Sequence, residues 1–260
     1  VIGSARGILD PAHHGTLTRR FAATSPASRA RCRERRNVNY VFQFGDVWAA
    51  WPDLLWGCWL TIQLSAVSMV LGLLVAVLGA LGKTMGPKPV RWVVDAYVEV
   101  IRNTPFLVQI FIIFFGLPRA GIMLTSNQAA LLAMVVNVGA YATEIVRAGI
   151  ESIGRGQIEA GLALGLRPLQ VFRYVVLFPA ISTVYPALSS QFILLMLNSS
   201  VVSTISAQEL TATANDLQSR TFRSFEIYIV VTGIYLALSM LFSAAFGGIH
   251  RAVFARPGQR

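Results

Sequence analysis

Four stretches of this 260-residue chain run without Asp, Glu, Lys or Arg: Leu54 to Gly82, Ala120 to Thr143, Tyr174 to Gln208 and Ile227 to Ile249. Each exceeds the roughly 20 residues that a helix needs to cross a bilayer. A fifth run, Asn103 to Pro118, is shorter. Asp95 to Leu117 spans a membrane provided that Glu99 and Arg102, three apart on one helical face, lie near its end or pair within protein. The pattern therefore predicts an all-α polytopic membrane protein with five transmembrane helices, at 54–82, 95–117, 127–150, 174–198 and 225–248. These make up a transmembrane domain over 38–250. A polar, glycine-punctuated loop at 151–172 joins the third and fourth spans.

Composition agrees with this pattern: the chain is 55% hydrophobic and 13% charged, with a mean hydropathy of +0.59. The net charge of +10 is read as membrane topology, because no basic-aromatic pattern of the kind that reads bases accompanies it. Lys83, Lys88, Arg91, Arg147, Arg155, Arg167, Arg173, Arg251, Arg256 and Arg260 fall on one side of a five-span arrangement, and Arg119, Arg220 and Arg223 on the other. By the positive-inside rule, the central loop and the basic tail 251–260 are cytoplasmic and the N-terminus is outside. Residues 1–37 carry eight arginines against two acids, Asp10 and Glu34, which runs against that bias. This segment lacks the apolar core of a signal peptide. It is expected to be an extension of the gene model, with the natural start at Val38, or else a disordered basic arm.

Within the spans, Trp48, Trp51, Trp56 and Trp59 crowd the entry to the first helix, where indoles anchor at the bilayer interface. Gly72, Gly79 and Gly82 allow a second helix to approach closely. Cys32 and Cys58 make neither a disulfide framework nor a metal site. Pro87 and Pro89 mark a turn, after which Val90 to Val100 can lie along the membrane. Pro105 removes one helical hydrogen bond and frees a carbonyl about a turn upstream, so the helix bends there, with Arg102 and Pro105 forming a gate or a packing kink. Asn137 is the lone strongly polar residue at mid-depth of the third span. Tyr141, Glu144 and Arg147 follow at spacings of three, stacked on one face, and are read as bracing the loop. Thr104, Asn137, Gln191, Asn198 and Ser199 are the candidates for lining a solute path, since polar groups in spans need partners.

In the loop, Gly154 and Gly156 bracket Arg155 in a turn, and Gln157 to Leu164 can make about two helical turns, with Glu159 near the positive N-terminal end. Gly165 closes this helix and Pro168 begins the next. Ile158 and Leu162 share one face, with Gly161 and Gly165 on a side where another backbone could come close. A helix this short is marginal alone, so it needs something to pack against.

Glu159-Ala160-Gly161, three residues, then Gly165, with Pro179 further on, resembles the EAA loop of bacterial ABC-importer permeases. The segment Arg102-Asn103-Thr104-Pro105 with Gln109 resembles the polar-amino-acid branch of that family, as does the stretch Pro186 to Leu210. The chain departs from the pattern at Gly161, where alanine is usual, at Phe178 and Pro179, where proline comes one place late, and at Leu197, where lysine is frequent. If that lysine holds a carboxylate in relatives, this chain lacks the contact.

The resemblance implies a type I ABC-importer permease that carries polar amino acids across the bacterial cytoplasmic (inner) membrane. Gly156, Gln157, Glu159, Ala160, Gly161 and Gly165 would form the coupling helix. Its implied partners are two ATPase subunits, which would hold the ATP and Mg, a second permease chain, identical or paralogous, and an external substrate-binding protein, to which Thr211–Arg223 would face. Polar amino acid and membrane lipid complete the set; nucleic acid does not belong to it. No phosphate-cradling GxxxxGK[ST] loop occurs, the four long runs hold no carboxylate relay, and no catalytic or metal-binding constellation is visible. An enzyme is not expected. The alternative reading is a membrane scaffold or sensor subunit that engages partners without moving solute.

Overall fold

The computed structural model describes residues 40–254. The expectations for residues 1–37, and for the end of the basic tail beyond Phe254, lie outside the described residues. Tyr40 to Phe42 belong to a separate short unit that ends at Phe42 and, in the described part, has no regular structure; the second unit starts at Gln43.

From Gly45 onward the described chain is helical. A short α1 (Gly45–Ala49) leads into α2 (Trp51–Met85), α3 (Lys88–Arg102), α4 (Phe106–Phe111), α5 (Ser126–Glu151), α6 (Arg155–Ala163), α7 (Pro168–Gln170), α8 (Phe178–Asn198), α9 (Leu210–Thr221) and α10 (Ser224–Phe254). The α4 helix runs on through a π-helical turn, Ile112–Gly116, and a 3-10 turn, Leu117–Ala120. From α7 the chain stays helical through π-helical Val171–Leu177, α8 and 3-10 Ser199–Ile205, so Pro168 to Ile205 form one long element. Proline has no N–H to give, and the π-helical register immediately before Pro179 lets the helix pass that residue without a break.

Four of these helices are long and apolar enough to cross a membrane: Trp51–Met85, Ser126–Glu151, Pro168–Ile205 and Ser224–Phe254. Each contains an expected span. The second expected span, Asp95 to Leu117, is not one straight helix: Lys88–Arg102 and Phe106–Ala120 meet at 109°, so the count reaches five when the bent pair is taken as a single crossing. The physical reason is Pro105, which ends α3 and starts α4.

The spine of the bundle is α2 packed along α5. The buried face of α2 reads Leu54, Gly57, Thr61, Ser65, Ser68, Gly72, Ala76 and Ala80, spaced three or four apart and small after the first. Small residues bring two helix backbones close where burial of apolar surface offers little drive in lipid. At Gly72 a Cβ would lie 2.2 Å from Val138 Cγ1 and 3.3 Å from the backbone nitrogen of Gly139. The approach expected at Gly72, Gly79 and Gly82 is found at all three, with α5 facing the first two and Val90 and Val94 of α3 facing the last.

Two apolar clusters hold the rest. Ile110, Met134, Val138, Leu195 and Val202 join α4, α5 and α8, while Leu54, Leu210, Ala214, Ile227 and Val231 join α2, α9 and α10 at one end of the bundle. At the other end, Phe178 and Tyr185 of α8 stack on Phe254 and His250 of α10. Trp48, Trp56 and Trp59 are exposed at the opposite end, as expected of interfacial anchors.

Candidate functional site

The loop between α5 and α8 is built on two glycines with different tasks. Gly165 has φ +77°, a conformation costly for a side chain-bearing residue. It donates to the Leu162 carbonyl at 2.9 Å while Leu166 donates to Gly161 at 3.3 Å, the paired bonds that close a helix C-terminus in a Schellman motif. Gly161 is buried; a Cβ there would lie 3.2 Å from Val171 Cγ2 and 3.4 Å from Val175 Cγ2. The α6 helix thus seats on the π-helical segment of its own chain through Gly161. The side read from sequence as open to another backbone is occupied by these two valines, whereas Gly165 has open space around it.

The helix also begins earlier than expected. Gly154 is the N-cap and Arg155 the first helical residue, so Gly156 sits inside the helix, not in the turn. Gly156, Gln157, Glu159 and Ala160 are exposed. Leu162, Leu164, Leu169 and Phe172 are exposed beside them, Leu164 at 82% and Leu169 at 77%. One face of α6 is fixed to the π-helical segment through Gly161, and Glu159 and Leu162 are exposed on the helix.

Behind the loop stands a chain of ion pairs. Lys83 of α2 contacts Asp95 of α3 at 2.7 Å and Glu144 of α5 at 2.6 Å. Glu144 takes Arg147 at 2.9 Å, and Arg147 also pairs with Glu151. Two of the three residues read as bracing, Glu144 and Arg147, therefore join a network across three helices. From the sequence Lys83 was legible only as a topology charge and Asp95 only as the start of the second span, because their meeting depends on the turn between α2 and α3. Tyr141 does not join these ion pairs; it lies under the Arg102 guanidinium, 5.6 Å from carbon to ring centre.

The break at Asn103 to Pro105 is closed by a side chain. Gln109 Nε2 donates to the carbonyl of Ile101 at 2.7 Å, to the carbonyl of Thr104 at 3.0 Å and to Thr104 Oγ1 at 2.8 Å. Its Oε1 accepts from Asn137 Nδ2 at 2.9 Å. Gln109 and Asn137 are 6% and 7% exposed, so this is an enclosed polar link from the bend to mid-depth of α5. Of the other path candidates, Ser199 is buried and donates to Met196 at 2.7 Å, Gln191 is half-buried, and Thr104 and Asn198 are exposed. None of the five lines the open cleft of about 340 Å³ between α5 and α8, which is bounded by Arg102, Tyr141, Glu144, Thr183, Val184 and Ala187.

A buried acid that sequence reasoning passed over closes the opposite end. Glu209 is fully buried, caps α9 by accepting from the Ala212 nitrogen at 2.6 Å, and accepts from the Tyr235 hydroxyl at 2.7 Å. Burial pushes its carboxyl above the ordinary range, against the opposing pull of these hydrogen bonds.

A multi-pass helical bundle with a short exposed helix clamped at one end is the architecture of a membrane transport subunit. Residues 68–255 match the family described as binding-protein-dependent transport system inner membrane component, and the chain belongs to that family. It is 38% identical over 194 residues to the L-cystine transport system permease protein TcyB of Bacillus subtilis, covering 74% of this chain and 83% of that protein. It is 34% identical over 204 residues to the glutamine transport system permease protein GlnP of Escherichia coli K12, covering 78% and 93%. Among solved structures, an amino acid ABC transporter with histidines superposes with a TM-score of 0.76 at 35% identity, over 82% of this chain and all of that one. An inward-facing MetNI methionine ABC transporter superposes with a TM-score of 0.63 at 25% identity, over 77% and 95%. The chain is a permease subunit of the amino-acid ABC-importer kind.

Proposed function

We propose that this permease carries polar amino acids inward in a complex of two permease chains and two ATPase subunits, fed by an external binding protein. The observation that carries the reading is the seating of α6. Gly161 locks one face onto Val171 and Val175, and the other offers Glu159, Leu162 and Leu164 to a partner. A helix so clamped moves as one piece with the start of α8. A push from a closing ATPase dimer would then reach the bundle without being absorbed in a soft loop. The Lys83–Glu144–Arg147 network stiffens the helices on which the loop is mounted.

In this reading the end bearing α6 is cytoplasmic and α9 faces the binding protein outside. ATP and Mg reside in the ATPase, and this chain supplies the path. Cystine and glutamine, named for two relatives, and the amino acids named for the structural neighbours support an amino-acid cargo. Purification from membranes through a C-terminal tag tests the assembly: an ATPase should co-purify with the wild type and be lost with Glu159→Lys, which reverses the charge in the middle of the exposed face of α6. Retention of the ATPase by that variant would contradict the role given to α6.

A further inference from the structure

The cations at this cleft and in the ion-pair chain behind the loop are not equivalent. Lys83 and Arg147 are each held by two carboxylates. Arg102 is not. Its guanidinium stacks over the Tyr141 ring, and among the described residues no carboxylate or carbonyl accepts from its N–H groups. The side chain is exposed to the cleft beside Thr183 and Val184, so its donors stand open to a ligand. A guanidinium has five donors in a planar fork that matches a carboxylate.

The cleft's one carboxylate, Glu144, is already engaged by Lys83 and Arg147, so Arg102 is the cation of the cleft that has no ion-pair partner among the described residues. The position of Arg102 is also fixed. It ends α3 one residue before the bend, and the bend is held by Gln109 and Asn137. A fixed fork over an aromatic ring, facing open space of about 340 Å³, has the form of an anion subsite and has room for a small molecule.

We propose that Arg102, backed by Tyr141, binds the α-carboxylate of the amino acid during passage. This deepens the amino-acid reading above and rests on it. The side chain of the cargo takes no part in this contact, so the subsite selects for the amino-acid backbone and leaves discrimination among side chains to other groups.

The test uses the purified complex of this chain with its ATPase. Its thermal midpoint is followed against an equimolar mixture of the twenty amino acids, and against the matching mixture of decarboxylated amines. The amino acids should raise the wild-type midpoint and the amines should not. Arg102→Gln should raise the half-saturating concentration about tenfold or more, and Arg102→Lys, which keeps a charge but loses the fork, about threefold. If the wild type responds to neither mixture, the amino-acid reading falls and takes this proposal with it. If the wild type responds to both alike, or if the half-saturating concentration is unchanged in Arg102→Gln, the proposal alone is overturned. Should Arg102→Gln fail to assemble, an unchanged value in Arg102→Lys overturns it equally.

Discussion

Gln109 Nε2 donates to the Ile101 carbonyl at 2.7 Å, the acceptor that Pro105, four residues on, leaves without its helical donor. The 109° bend between α3 and α4 is therefore held by a side chain that supplies the hydrogen bond which proline removes. In a membrane no water stands by to satisfy such a carbonyl, and broken helices persist only where protein does so.

Gln109→Leu should orphan both the Ile101 carbonyl and the Asn137 amide. Each buried group left unpaired costs about 1–3 kcal/mol. Unfolding in detergent should show a loss of about 2–6 kcal/mol on that basis, and Asn137→Ala should cost less, since Gln109 keeps its bonds to Ile101 and Thr104. A double mutant no worse than Gln109→Leu alone would show that the two act as one link.

The two seating glycines tolerate change differently. Gly161→Ala should be close to neutral, because the 3.2 Å contact with Val171 Cγ2 is to a side-chain end and alanine favours a helix by about 1 kcal/mol. Gly161→Leu should lift α6 off its seat and uncouple ATPase activity from substrate, measured in reconstituted complex. Gly72→Leu, which meets the backbone of Gly139, should destabilise the bundle by about 1–3 kcal/mol or more.

Lys83 is a hub, and its partners are unequally buried: the Glu144 side chain is 19% exposed and that of Asp95 53%. Asp95→Asn should cost less than about 1 kcal/mol, as exposed pairs do. Lys83→Met should cost more, because it leaves Glu144 with Arg147 alone. Equal losses in thermal or denaturant unfolding would contradict the ranking.

Glu209 gives the fold a pH dependence of definite sign. Its carboxyl is raised by burial above the ordinary value near 4.5, so the folded state holds the proton more tightly than the unfolded one. The contribution to stability is fully present below about 4.5 and is lost as pH rises through the folded value. Glu209→Gln should flatten this slope in a plot of thermal midpoint against pH, while keeping one acceptor oxygen to cap the Ala212 nitrogen.

Much of this was readable in the residues, for physical reasons that differ from place to place. The four long helices show because a bilayer demands uncharged length, and α6 shows because glycine and proline punctuate a polar stretch. The 109° bend was legible as a kink at Pro105 but not in its size, because the angle depends on where Gln109 finds its acceptors. Asn137 stood out as a polar group at mid-depth, yet its partner lies on another helix 28 residues away in sequence. The Lys83–Glu144 pair and the burial of Glu209 were invisible for the same reason: each depends on which helices become neighbours. Gly161 was singled out from its motif, whereas the direction it faces came only from the packing of Val171 and Val175.

The most direct test of the importer reading is ATP-driven uptake of a radiolabelled amino-acid mixture into proteoliposomes. These would contain this chain with its co-purified ATPase and binding protein, and the wild type would be run beside Glu159→Lys. The account predicts uptake that requires ATP and is abolished or nearly so in the variant. Uptake by the variant at the wild-type rate, or a wild-type complex that hydrolyses ATP without moving any amino acid, would contradict it.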